Sequence, residues 1–160
     1  MQTFLPYPCY KESVKCLDNK RLGKQRVEAL QILKAIYVPD YGWRHHPCVK
    51  MWKDYPQELM LYMNVCIDEW VIRGFNNTMS KSKLYSKDKP HWLGNEQLHN
   101  SHKSNLLRKD AEYYGKYNWK VTNDIEYYWC GYSKKEKEKH EENSSKENSS
   151  EEKSNTSIKS

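Results

Sequence analysis

Residues 18–33 read DNKRLGKQRVEALQIL, and the fold turns on how this stretch is read. At about 3.6 residues per turn it sets Leu22, Ala29, Ile32, Leu33 and, just beyond, Ile36 along one side, with Arg21, Lys24, Gln25, Glu28 and Gln31 along the other. Asp18 stands where a helix N-cap belongs and no proline follows until Pro39, so a helix over residues 19–37 is predicted. Gly23 is the one poor helix former in it, costing about 1 kcal/mol against Ala. A usual reason to keep such a glycine is that another backbone or a ligand must approach closely. The polar side carries a single acid, Glu28, among basic and amide groups. A solvated Lys24–Glu28 pair at i,i+4 contributes only about 0.2–0.5 kcal/mol, so this helix alone does not separate a working face from a wet one.

Working outward, residues 1–9 (MQTFLPYPC) hold two prolines and read as an extended arm. Residues 10–17 supply a turn or two of helix leading into the main one. PDYGWRHHP, residues 39–47, is a loop that presents Trp43, Arg44, His45 and His46. A second helix resumes near Cys48 and runs to Arg73, with a break expected at Pro56 and a stop at Gly74; its apolar stripe is Leu59, Tyr62, Met63, Cys66, Ile67 and Trp70. Residues 78–90 form a basic polar loop. A third amphipathic segment covers residues 96–108, with Leu98, Leu106 and Leu107 expected inward and His99, His102 and Lys103 on the other side. An aromatic stretch follows at Tyr113, Tyr114, Tyr117 and Trp119, then a cluster at Tyr127, Tyr128, Trp129 and Tyr132. Nothing alternates with period two for long enough to demand a sheet. The fold class is therefore all-α, a compact single domain over residues 1–132 of about three main helices with long loops.

From residue 133 onward the chain is built of Ser, Lys, Glu, Asn, His, Thr and one Ile, and such a segment cannot bury enough apolar area to offset its ordering entropy. Residues 133–160 are expected to be a disordered tail. Its seven Lys and seven Glu cancel, so the net charge of +6 belongs to residues 1–132. A basic domain of this kind suits nucleic acid, an anionic membrane surface or an acidic protein. No run has the pattern of a signal peptide or a membrane span, which leads to the expectation of an intracellular protein. Cys9, Cys16, Cys48, Cys66 and Cys130 are odd in number and lack CxxC spacing, against a disulfide scaffold or zinc ribbon. Thirteen Tyr and six Trp against two Phe give most rings a polar handle, as where one side packs and the other meets water or ligand.

His45–His46 and His99-x-x-His102 are the only arrangements that raise the question of a metal, and no acid or cysteine stands in a ligand-like relation to either. No metal or other cofactor is expected. There is no GxSxG, P-loop or dinucleotide fingerprint. What is left is Glu28 amid Arg21, Lys24 and Arg26. A lone carboxylate there suits the stabilisation of positive charge or the acceptance of a proton, which cleavage of an N-glycosidic bond requires, with cations to meet phosphates.

These residues resemble the pyrimidine-dimer DNA glycosylases of the endonuclease V type, small all-α base-excision enzymes. The likeness lies in Arg21-Leu22 followed by Glu28; in Trp52, Asp54, Leu59, Cys66, Ile67 and Arg73-Gly74-Phe75-Asn76; in residues 90–108; and in Tyr113-Tyr114-Gly115-Lys116. The chain is more similar still to a little-described bacterial and viral branch of that family, at LDNKRLGKQRVEALQIL, GWRHHP, WLG and HNSHKSNLLRKD. The resemblance implies a glycosylase with or without lyase activity on pyrimidine dimers or related lesions in duplex DNA, damaged and bent, and acting as a monomer.

It also implies a nucleophilic α-amine at the mature N-terminus, whose ordinary pKa of about 7.7–8.0 leaves a usable unprotonated fraction at neutral pH. In the family that amine follows removal of the initiator Met before a small residue. Here residue 2 is Gln, which blocks removal and leaves Met1. The nucleophile is then Met1, or Lys24 from the Glu28 face, or the lyase step is lost. Two basic positions flanking the family's glutamate fall here on Val27 and Gln31, and Lys24 and Arg26 are the charges that could replace them. The implied catalytic set is Glu28, Met1, Lys24 and Arg21. The implied DNA contacts are Arg26, Arg44, His45, His46, Lys50, His99, His102, Lys103, Arg108, Lys109, Tyr113, Tyr114 and Trp119. Two readings of other classes stand beside this one: a non-catalytic nucleic-acid-binding module that keeps the fold, and a metal-dependent nuclease.

Overall fold

The structure is a computed structural model that describes residues 1–86 and 88–130. Among these, six α-helices follow in order: α1 (Tyr10–Lys15), α2 (Asn19–Tyr37), α3 (Pro47–Trp52), α4 (Pro56–Ile72), α5 (Glu96–Lys109) and α6 (Ala111–Tyr114), with a 3-10 turn at Gly115–Tyr117. None of the described residues lies in a strand. Three of the helices are long, and the fold is all-α as the periodicity requires. The expected tail and its boundary after residue 132 lie outside the described residues.

α2 starts where its cap dictates: the Asp18 carboxylate accepts the Arg21 N–H at 3.3 Å. Its apolar side, Leu22, Ala29, Ile32 and Leu33, is buried against Leu59, Met63, Cys66 and Ile67 of α4, the main packing pair of the molecule. The second predicted helix is two helices. Pro47 and Pro56 each occupy a first-turn position, where a missing N–H costs nothing, so α3 ends at Trp52 and α4 begins afresh. α4 stops at Gly74, φ +89°, with Gly74 N–H on Val71 O (2.9 Å) and Phe75 N–H on Trp70 O (3.2 Å). The Trp70 and Phe75 rings stack across this turn, 4.2 Å between centroids. Trp70 also crosses over Gly23, where a methyl group would sit 3.0 Å from Cζ3, so the close approach is made by a side chain of α4 and not by the expected backbone or ligand.

α5 departs from its sequence reading. Leu98 and Leu106 are buried as expected, but so are His99, Ser101, His102, Ser104 and Asn105, whereas Leu107 is only partly buried. The helix packs on two irregular segments, and its polar side chains satisfy their backbones. Ser104 Oγ accepts Ile125 N–H (2.9 Å), Ser101 Oγ accepts Tyr128 N–H (3.1 Å) and Asn105 Nδ2 donates to Ile125 O (3.0 Å). The histidines take the other segment, the N-terminal arm. His102 Nδ1 accepts Leu5 N–H at 2.9 Å, and His99 Nδ1 meets Leu5 O at 2.7 Å while its Nε2 accepts Gly94 N–H. The helical pattern put these two rings on a wet face; they are core residues because the arm lies there.

Candidate active site

The arm is the part of the fold that makes a site. Gln2 to Pro6 are all buried, and six of the eight backbone N–H and C=O groups from Gln2 to Leu5 are taken by side chains. Gln25 Nε2 donates to Gln2 O (2.9 Å) and Gln25 Oε1 accepts Phe4 N–H (2.9 Å), so a helix side chain pairs with alternate residues of the arm as a neighbouring strand would. The Tyr62 hydroxyl lies 2.6 Å from Gln25 Oε1 and 3.1 Å from Phe4 O. Trp52 Nε1 donates to Thr3 Oγ1 (3.0 Å) and Thr3 N–H to the Gln2 side-chain oxygen (2.9 Å). Gln2 Nε2 is buried without a hydrogen-bond partner.

Met1, partly buried at the end of this arm, opens onto a cleft of about 280 Å³ lined by Gln2, Phe4, Lys20, Arg21, Lys24, Gln25, Glu28, Lys109 and Tyr127. Four cationic side chains thus surround one carboxylate. Glu28 forms none of the ion pairs among the described residues; its Oε2 accepts from Gln25 Nε2 at 3.0 Å, so an amide orients it. Arg21 is held elsewhere, by Asp18 at 3.0 Å. Burial works against that carboxylate, but hydrogen bonds from the Tyr114 hydroxyl and Arg21 outweigh it and keep Asp18 below the usual range. Arg21 is therefore tied to the Tyr114 block, and the hydrogen bond on Glu28 comes from Gln25.

The opposite wall is aromatic. Burial pushes the Tyr127 phenol up to about 12, with the negative charge of Glu28 adding to this and the cations Arg108 and Arg21 opposing it. Tyr127 packs on Trp129 (5.6 Å), Trp129 on His46 (5.7 Å) and His46 on Trp43 (6.0 Å), a file of rings from the cleft to the exposed tip of the 39–47 loop. His46 caps α3, its Nδ1 accepting Cys48 N–H at 3.1 Å, which leaves the proton on Nε2 when the ring is neutral. Burial first, then the positive charge of the Met1 amine, holds it below the usual imidazole value. Ring and amine therefore share one neighbourhood.

All four implied catalytic residues, Met1, Arg21, Lys24 and Glu28, line this cleft. The implied DNA contacts divide. Lys109 is on the cleft. Arg44, His45 and Lys50 gather with Lys53 around a separate depression of about 440 Å³ at the C-terminal end of α2. Lys103 stands 5.1 Å from the Tyr7 ring, whose hydroxyl accepts Trp119 Nε1–H at 2.7 Å. Tyr113 and Tyr114 pack with Tyr117 and Trp119 and donate their hydroxyls to Leu17 O and Asp18. Arg108 is bound to Asn105 and to Asn123 O.

Four of the expectations are corrected. Tyr114 is fully buried with its hydroxyl on Asp18, so it presents no surface to DNA. His99 and His102 are interior and face the arm, leaving no surface for DNA. Arg26 lies with its Cζ 4.2 Å over the Trp70 ring and an Nη on Asn77 Oδ1, a packing role on the far flank of α2. Missed from the sequence were Gln25, Lys20 and Tyr127. The sequence sets Gln25 on the polar side of α2, whereas the structure buries it, 1% exposed.

A family model described as pyrimidine dimer DNA glycosylase matches residues 1–83, more than half of the chain. The chain belongs to this family. No curated protein and no solved structure matches it. The span shared with the pyrimidine dimer DNA glycosylases contains the arm, α2 and α4, hence Met1, Gln25 and Glu28. Lys109 and Tyr127, which complete the cleft, lie beyond it. Membership implies DNA as substrate, and no described helix is long and apolar enough to cross a membrane.

Proposed function

We propose that this protein excises a damaged pyrimidine from duplex DNA through an imine between the sugar and the α-amine of Met1, with Glu28 as the acid–base partner. The observation that carries the reading is the clamp on residues 2–5. Chain termini ordinarily fray, yet this arm is buried by α2, α4 and α5 and ends at the cleft that holds the carboxylate. Lys24 shares the cleft, but nothing comparable fixes its ammonium group.

With Met1 as the terminal residue, the lone pair of its amine attacks C1′ of the deoxyribose. The C1′–N glycosidic bond breaks and its electron pair leaves with the base, which takes up a proton. Glu28 accepts the proton released from the attacking nitrogen and delivers one to O4′ as the C1′–O4′ bond opens, giving the iminium. The same carboxylate then accepts a proton from C2′ and the 3′ phosphate departs, nicking the strand. Lys20, Lys24 and Lys109 around the rim face the phosphates.

Borohydride trapping tests this on duplexes carrying a pyrimidine dimer or an abasic site. The expected result is a covalent adduct that peptide mapping assigns to Met1, lost by at least about 100-fold in Glu28→Gln while salt-dependent duplex binding persists. An adduct on Lys24 would overturn the assignment of Met1. Binding without any adduct would favour the non-catalytic module.

A further inference from the structure

We infer that Gln25 is the positioning residue of this site: one carboxamide holds both the arm that carries the Met1 amine and the Glu28 carboxylate, and so sets the separation of the two reacting groups. The inference rests on the reading just given and adds to it the part that aligns them. Gln25 is 1% exposed and its hydrogen-bonding capacity is fully engaged. Both Nε2 hydrogens are used, one on Gln2 O (2.9 Å) and one on Glu28 Oε2 (3.0 Å), and Oε1 accepts from Phe4 N–H (2.9 Å) and the Tyr62 hydroxyl (2.6 Å). Two acceptors face the nitrogen and two donors face the oxygen, so the amide has one orientation only.

An amide is the one side chain of this length that meets these four demands. A carboxylate in its place keeps the two acceptor contacts, loses both donors and brings a second negative charge against Glu28. Leu would fill the space and bind neither partner. Because the amide is rigid, a shift of the arm turns Glu28 with it. Misplacement of reacting groups by about 1 Å is enough to cost about 100-fold in rate.

The experiment compares wild type, Gln25→Glu and Tyr62→Phe. Tyr62→Phe takes the hydroxyl away from Gln25 Oε1 and Phe4 O but leaves both Nε2 contacts, so it is expected to trap more slowly than wild type, by far less than Gln25→Glu and with no shift of the acid limb. Gln25→Glu is expected to hold its melting temperature near that of Tyr62→Phe, to trap about 100-fold more slowly at pH 7, and to move the acid limb of its trapping rate up by about one pH unit. Two adjacent carboxylates share a proton, a change that a purely structural role would not produce. Carbon-13 NMR of the DNA-free protein gives a second readout, in which the two neighbouring carboxyl groups of Gln25→Glu titrate as a coupled pair in separated steps.

A Glu28 carboxyl signal that titrates identically in wild type and Gln25→Glu overturns the inference, whatever the trapping shows. If wild type traps on no duplex while the coupled titration is present, the glycosylase reading falls and the positioning contact stands.

Discussion

His102 grips the arm through a nitrogen that accepts a hydrogen bond, so the contact exists only while the ring is neutral on that side. Burial, and after it the neighbouring His99, pushes this imidazole down to about 3, and burial also lowers His99. In the unfolded chain both rings titrate near 6.5, so below that pH the unfolded state takes up protons that the native state refuses. Stability is therefore fully present above pH about 6.5 and is lost as pH falls toward the folded values, each histidine adding a slope of up to about 1.4 kcal/mol per pH unit. His102→Asn keeps an acceptor for Leu5 N–H and removes the titration. Its unfolding free energy between pH 6 and 5, measured by denaturant melts, is expected to fall less steeply than wild type by about 1.2 kcal/mol. An unchanged slope would mean that His102 is not the buried neutral group described here. These two rings were illegible in the sequence for a physical reason. A helical wheel sorts histidine and serine to the wet side, and only the presence of an irregular chain with unpaired backbone groups makes that side an interior. Gln25 was illegible for the same reason, since the wheel sets its amide beside Lys24 and Glu28 and only the arm makes it interior. Glu28 and Lys24 were legible because charge on a helix face persists whatever packs behind it.

At the level of elements, α2 and α4 are locked by a feature that could be read from either end. Gly23 marked a close approach in α2, and Gly74 marked the end of α4. The structure joins the two, because the stop at Gly74 folds Phe75 back onto Trp70, and Trp70 is the ring that lies over Gly23. Trp70 is held on both faces, by Arg26 and Phe75, and its Nε1 donates to Asn76 O at 2.9 Å, so it has little freedom to yield. Gly23→Ala gains about 1 kcal/mol of helix propensity but places a methyl group 3.0 Å from the indole. Overpacking of that kind costs about 1–3 kcal/mol, so a net destabilisation of about 1 kcal/mol is expected from chemical denaturation, where an exposed helical glycine would give a gain. Added stability in this variant would show that the indole swings aside. Asp18, Pro56 and Gly74, which bound α2 and α4, were readable because each acts within one turn, whereas the His46 cap of α3 was not. α6 was not, since Ala111–Tyr114 is a single turn kept by the Asp110 cap and by rings packed on Asp18 and Leu17.

Across the whole molecule, charge rather than shape singles out the side proposed to face DNA. Residues 133–160 are neutral by composition, so the excess of +6 sits on the remainder, and a share of it converges on the cleft as Lys20, Arg21, Lys24 and Lys109. Arg21 is compensated by Asp18, which leaves the three lysines as the uncompensated charge. They come from α2 and from the last residue of α5, so the rim forms only when the C-terminal half folds onto the half that carries the family match. If these lysines neutralise phosphates, binding releases counterions, and the logarithm of affinity falls with the logarithm of salt by about 0.9 for each phosphate contact. Lys20→Ala and Lys109→Ala are each expected to weaken binding to undamaged and damaged duplex alike and to lower the salt slope by about 0.9, with the double variant losing both. Lys81 is the control, an exposed lysine paired with Asp68 at 2.8 Å, and its alanine variant is expected to leave the slope unchanged. A slope that drops for Lys20 but not for Lys109 would confine the duplex to α2 and remove the C-terminal half from the interface. Equal slopes in all variants would put the DNA on another face, the depression around Arg44, His45, Lys50 and Lys53 being the other concentration of cations to test.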